Sequence, residues 1–124
     1  MGSREAEWSW ENYVEPMRGD WCLTKPSGSR ITCKEYDAPP PAGRFLGKLS
    51  KSHLFGPVHE VENITWLDNK NVTHNVVCIR VPSKFEPGTL AWVNIENNGK
   101  RFAALDRKWA GFLDGPFPFF RRYR

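Results

Sequence analysis

The residues best suited to chemistry crowd toward the end of the chain. Arg107 and Lys108 precede the run Phe119-Phe120-Arg121-Arg122-Tyr123-Arg124. Guanidinium groups take phosphate oxygens through paired hydrogen bonds. Flat rings stack on unpaired bases, at about 1–3 kcal/mol per base. Cations and rings together are what unpaired RNA or DNA requires of a protein. The same run also suits a strand with its Phe residues turned inward and its Arg residues solvated.

A second set lies upstream. Trp92 falls beside Arg101 in the register expected below, and Arg44, Lys48 and Lys51 supply further positive charge. The nucleic-acid-binding set expected from sequence is thus Arg44, Lys48, Lys51, Trp92, Arg101, Lys108, Phe119, Phe120, Arg121, Arg122, Tyr123 and Arg124. A helix at the N-terminus that covered Trp92 would remove that ring from the set.

Histidines make a third set: His53, His59 and His74. In the expected pairing His59 faces Arg80, His74 faces Thr65, and Cys78 faces Val61. Two imidazoles near a cation could serve acid–base chemistry on a phosphodiester, and a His/Cys metal site is conceivable. Neither has diagnostic spacing. The sequence holds no GxSxG, P-loop, HExxH or GxGxxG pattern. A non-catalytic protein without cofactor or metal is the expectation, with a His59/His74 hydrolase as the rival.

Three cysteines, Cys22, Cys33 and Cys78, are too few and too odd for a disulfide scaffold. Pro26-Ser27-Gly28-Ser29 reads as a hairpin turn. A ladder symmetric about it sets Cys22 opposite Cys33, close enough for a bridge under oxidising conditions and for a packed thiol pair under reducing ones. The odd count, and the want of an apolar leader in the chain as given, favour an intracellular setting.

Behind these residues stands an ordinary globular composition, 40% apolar and 26% charged, which excludes a disordered chain. No apolar run is long enough to span a membrane as a helix. The net charge of +4 is unevenly spread. Residues 1–20 hold two Arg against five acids, whereas residues 101–124 hold six basic residues against two acids. The acidic start, with Trp8 and Trp10 among Glu5, Glu7, Glu11 and Glu15, suits a basic protein partner. That supports a second functional expectation, a protein-interaction or self-associating module that docks through this segment or through the aromatic tail.

The elements expected to position these groups make one domain. Residues 1–20 form a helical cap, with an apolar stripe of Trp10, Tyr13, Val14 and Met17. Residues 21–36 form the hairpin just described, and the Pro-rich stretch 37–43 is a stiff connector. Residues 44–105 hold the main antiparallel sheet. Within it Asp68 to Asn71 turns one hairpin, and Val76 to Val81, apolar on both faces, reads as a central strand. Asn98-Gly99 is the strongest hairpin cue. It pairs Glu96 with Arg101, Ile95 with Phe102, Val93 with Ala104 and Trp92 with Leu105. Val93, Ile95, Phe102 and Ala104 then share the core face; Trp92, Asn94, Glu96, Arg101 and Ala103 share the other. Residues 106–124 hold a short helix, whose stripe starts at Leu105, and the basic aromatic tail. The expected fold is mainly β: a small antiparallel barrel or rolled sheet, OB-like or SH3-like, with a helix toward each end.

Overall fold

A computed structural model describes residues 15–106. They form β1 (Cys22–Thr24), β2 (Lys34–Tyr36), β3 (Phe45–Lys48), β4 (Leu54–Phe55), β5 (Glu60–Leu67), β6 (Thr73–Pro82), β7 (Leu90–Asn97), β8 (Lys100–Arg101) and β9 (Ala103–Leu105). There is no helix among the described residues, and every pairing is antiparallel. The helices expected near 4–15 and after 106 lie outside the described residues. Leu105, however, is a strand residue paired with Cys22, so no helical stripe begins there.

The strands divide between two sheets, β4-β1-β9 and β3-β2-β7-β6-β5, with β8 also on β7. The sheets do not close into the expected barrel. β6 lies between β5 and β7, as its run of β-branched residues on both faces requires. Its inner face joins Ile79 and Val81 to Val93 and Ile95 of β7 and to Cys22, Cys33, Leu49, Phe55, Val58 and Ala103, which together make the main core.

Three local expectations fail for identifiable reasons. Pro26 to Ser29 does turn, with Ser29 N–H donating to the Pro26 carbonyl at 3.1 Å. Its flanks then diverge: β1 pairs with β4 and β9, and β2 with β3 and β7. Cys22 therefore stands opposite Phe55 and Leu105 instead of Cys33, and Cys22, Cys33 and Cys78 are all free thiols. The β5–β6 ladder is shifted by one residue from expectation, pairing Trp66 with His74, Glu60 with Arg80 and Glu62 with Cys78. Asn71 N–H bonds the Asp68 carbonyl at 3.0 Å, and Asn71 takes a positive φ of 62°. The loop is closed by a left-handed residue, so the hairpin centres on a residue and not between two. Asp68 also bonds the Lys70 and Val72 N–H groups at 2.8 and 3.0 Å.

The Asn98-Gly99 hairpin forms as expected through Glu96–Arg101, and Phe102 N–H bonds the Ile95 carbonyl at 2.8 Å. Beyond Phe102 the chain leaves β7 for the other sheet, where Ala104 and Leu105 pair with Leu23 and Cys22. Val93 and Trp92 take Glu35 and Tyr36 as partners in place of Ala104 and Leu105. A bulge adds a further change. Cys78 pairs with Asn94 but Val77 pairs with Glu96, so Ile95 is an extra residue in β7. Past the bulge, Asn97 and not Glu96 shares a face with Asn94 and Trp92.

Candidate ligand-binding face

The register places Tyr36, Trp92, Asn94, Asn97, Val76, Cys78, Arg80, Ile64, Trp66 and His74 on the face of the larger sheet that points away from the main core. Lys34, Lys48 and Phe45 extend it across β2 and β3. Val76, Cys78 and Trp92 form a second apolar cluster here, packed by Ile64 and Trp66. Trp92 is 7% exposed, so it is part of the floor and not a free stacking platform. The Arg80 guanidinium lies 5.9 Å from the Trp92 ring and 3.3 Å from Glu60. Tyr36 and Phe45 meet edge to face at 6.0 Å.

Trp66 stacks on His74 with centroids 4.5 Å apart and planes 17° apart. Both imidazole nitrogens are occupied. Nε2 lies 2.9 Å from an Asp68 carboxylate oxygen, and Nδ1 lies 3.2 Å from Asn97 Nδ2. An amide N–H donating to Nδ1 leaves the proton on Nε2. The bond from His74, helped by the Val72 and Lys70 N–H groups, holds the Asp68 carboxyl below the usual carboxylate range. His59 lies beyond the far end of the same ladder, next to Glu60, roughly 20 Å away at strand spacing. The two histidines cannot act on one substrate atom. No cluster of three or more His, Cys, Asp or Glu side chains fit to hold a metal occurs among the described residues.

Two adjoining clefts open on this face. One, of about 160 Å³, lies between the β2–β3 loop (Ala38, Pro40, Pro41, Gly43) and Trp66, with Tyr36 and Asn94 between them. The other, of about 260 Å³, is lined by Thr32, Lys34, Tyr36, Asn94, Asn97 and Phe102. It occupies the fork where β2 and β8 take successive stretches of the same edge of β7. The loop wall depends on a close approach: a Cβ at Gly43 would collide with the Ala38 carbonyl oxygen and stand 2.8 Å from Tyr36 Cβ. Asp37 and Arg44 close the base of that loop, with Asp37 N–H on the Arg44 carbonyl and Arg44 N–H on the Asp37 carboxylate at 2.6 Å. Trp66 Nε1, Asn94 Oδ1, Asn97 Oδ1 and Arg80 Nε are buried without a hydrogen-bond partner.

Among the described residues, three of the four cations expected from sequence are engaged within the fold. Arg44 bridges Asp37 at 3.3 Å and Glu86 at 3.2 Å. Lys51 donates to the Ile31 carbonyl and to Thr32 Oγ1. Arg101 pairs with Glu96 at 3.2 Å, and the bulge turns that pair away from Trp92. Lys48 is exposed and stands opposite exposed Lys34, a residue absent from the set expected from sequence. Lys108, Phe119, Phe120, Arg121, Arg122, Tyr123 and Arg124 lie outside the described residues. Tyr36, Trp66, Asn94 and Asn97 are likewise absent from the expected set. A signal for Trp66 does exist, in the alternation Glu60, Glu62, Ile64, Trp66 on one side of β5.

Burial pushes the Cys33 thiol up to about 12, against the opposing pull of Lys51 and Lys25. Its Sγ–H points at the Phe102 carbonyl, 3.1 Å away. Cys78 is likewise raised to about 12, by burial and then by Glu62 and Glu60. Neither is a nucleophile at neutral pH. Among the described residues no helix is long and apolar enough to cross a membrane. No protein-family model, no curated protein and no solved structure matches this chain, so the reading of the face rests on its own geometry.

Proposed function

We propose that the protein is a non-catalytic nucleic-acid-binding domain that takes single-stranded chains, RNA in preference, on the outer face of its larger sheet. One observation carries the reading. Tyr36 and the amide of Asn94 line two adjoining clefts, Trp66 walls the smaller one, and Lys34 and Lys48 stand exposed on the same face. Rings accept the faces of unpaired bases, amides meet their edges, and lysines attract the phosphates. Lys108, Arg121, Arg122 and Arg124 would add charge, and Phe119, Phe120 and Tyr123 further stacking surface. Arg44, Lys51 and Arg101 serve instead to hold loops and strands together.

The test is anisotropy of a labelled nine-nucleotide RNA at two salt concentrations. With four to six phosphates engaged, log K should fall against log salt with a slope of about −3 to −4. Absence of binding, or a slope near zero, removes the proposal.

A further inference from the structure

The edge of a sheet carries a row of main-chain N–H and C=O groups without partners, and folded proteins blunt it with shortness, lysine, proline or a bulge. Most edges here are blunted. β4 and β9, at the sides of the smaller sheet, are two and three residues long. β3, at one side of the larger sheet, has four residues and ends in exposed Lys48. It also carries a bulge at Leu46, which is skipped between the Glu35–Gly47 and Tyr36–Phe45 pairs. β5, at the other side, differs. Its eight residues run in unbroken register with β6 and include no Lys, Pro or Gly. The turn end of this edge is apolar: Leu67 is 60% exposed and nearby Val72 is 47% exposed.

The hairpin's own hydrogen bonds fix which groups face outward. Asp68 N–H bonds the Val72 carbonyl at 3.0 Å. The even-numbered residues of β5 therefore bond to β6, and the odd-numbered ones turn N–H and C=O to the open edge. These are Val61, Asn63, Thr65 and Leu67, and among the described residues no strand pairs with them on that side. Glu15 lies 3.5 Å from Asn63 Nδ2, a side-chain contact that takes none of the main-chain groups.

We infer that this edge pairs antiparallel with β5 of a second copy of the chain, about a two-fold axis at Ile64, so that one sheet runs through a dimer. In that register the strand is complementary to itself. Val61 meets Leu67 of the second copy, and Asn63 meets Thr65. On the other face Ile64 meets Ile64 of the second copy, and Glu62 meets Trp66. Each odd-numbered pair exchanges two N–H···O bonds, and matched side chains opposite one another add to them. Moving the axis to Asn63 sets Val61 against Thr65 and Leu67 against His59. Moving it to Thr65 sets Val61 against Asn69 and Leu67 against Asn63. Only the axis at Ile64 keeps apolar opposite apolar. At each end Glu60 faces Asp68, but Arg80 holds Glu60 at 3.3 Å and His74 holds Asp68 at 2.9 Å within each copy. The assembly is closed, because both open edges are used and the blunted β3 edges stop further growth. The dimer does not depend on the nucleic-acid reading, and either can fail alone.

Sedimentation equilibrium of the intact protein at rising concentration should approach twice the monomer mass. Thr65→Pro removes an N–H that bonds nothing within one copy, and should give a monomer with an unchanged circular dichroism spectrum. Leu67→Lys, at an exposed position, should weaken the dimer about tenfold, since the axis removes the contact twice. Ile64→Cys, with Cα atoms about 4.5 Å apart across the axis, should form an intermolecular disulfide with oxidised glutathione. Thr65→Cys, about 8 Å from its copy by strand spacing, should not. The native thiols are buried and stay out of this reaction. A monomer at every concentration overturns the inference, and so does a dimer unmoved by either Thr65→Pro or Leu67→Lys. Cross-linking by Thr65→Cys in place of Ile64→Cys overturns the register. Slow amide exchange at Val61, Asn63, Thr65 and Leu67 in a monomer would show that the chain covers its own edge, which also overturns it. If Thr65→Pro fails to fold, Leu67→Lys and the two cysteine variants decide.

Discussion

The two faces of the larger sheet treat polar groups differently. On the inner face Glu35 is 1% exposed, yet its carboxylate accepts the Ser83 hydroxyl at 2.7 Å and the Lys84 N–H at 2.9 Å. Ser83 Oγ in turn accepts the Phe85 and Glu86 N–H groups, so one buried acid organises the whole β6–β7 loop. Thr24, 2% exposed and also beside the core, is equally well satisfied by the Ser50 carbonyl and the His53 N–H. On the outer face the amides of Asn94 and Asn97 and the indole of Trp66 each leave an atom unpaired. Polar groups that serve only the fold are expected to be paired.

This contrast can be broken or sharpened by substitution. Ile79→Ala, at a fully buried inner position, should cost about 3 kcal/mol in urea unfolding and leave oligonucleotide affinity unchanged. Glu35→Ala should cost about 2 kcal/mol, because the Ser83 and Lys84 donors lose their acceptor. A loss below about 0.5 kcal/mol would show that the loop does not depend on the acid. Trp66→Ala should weaken RNA binding by about 1.5 kcal/mol, roughly tenfold in Kd, while moving the urea midpoint less than Ile79→Ala does. The reverse order would make the outer face merely a second core. Lys34→Ala with Lys48→Ala should reduce the salt slope by about 1.4, close to 0.7 for each phosphate no longer neutralised; an unchanged slope would show that neither lysine meets phosphate.

The smallest effect concerns pH. Asp68 has a depressed carboxyl in the folded chain, so its contribution is present above its unfolded pKa of about 3.9 and disappears as pH falls through the lower folded value. Asp68→Asn should therefore lower stability at neutral pH, where the contribution is present, and converge with the unsubstituted protein at the acid end, so that the acid limb of the profile is flatter. An unaltered acid limb in the urea midpoint would show that the bond to His74 contributes nothing to the fold.

What can be read from the sequence is local. Asn98-Gly99 specifies its own turn, and the residues next to it pair as expected because a two-residue loop admits one register. The β5–β6 hairpin is equally visible, but its register depends on whether Asn71 adopts a left-handed conformation, and a count from the apolar pattern cannot resolve that. The symmetric cysteines around Gly28 mislead because turn chemistry specifies a reversal of direction and says nothing about which strands the emerging segments join. Those partners lie far along the chain, at Leu54-Phe55 and Ala103 to Leu105 for β1. For the face itself, alternation puts Trp92 and Asn94 on the correct side. The bulge at Ile95 then replaces Glu96 and Arg101 with Asn97, and so changes the expected chemistry from charge to amide. A bulge is a property of two strands fitted together and leaves little trace in either one alone.

The change of layer at Phe102 has a mechanical consequence. Leu90 to Arg101 belongs to the larger sheet, and Ala103 to Leu105 belongs to the smaller one. One short length of backbone thus rivets the two layers, and neither can peel away without tearing the hairpin that joins them. Amide deuterons on β1 and on β6 should accordingly wash out together, in a single all-or-none opening shared by both layers.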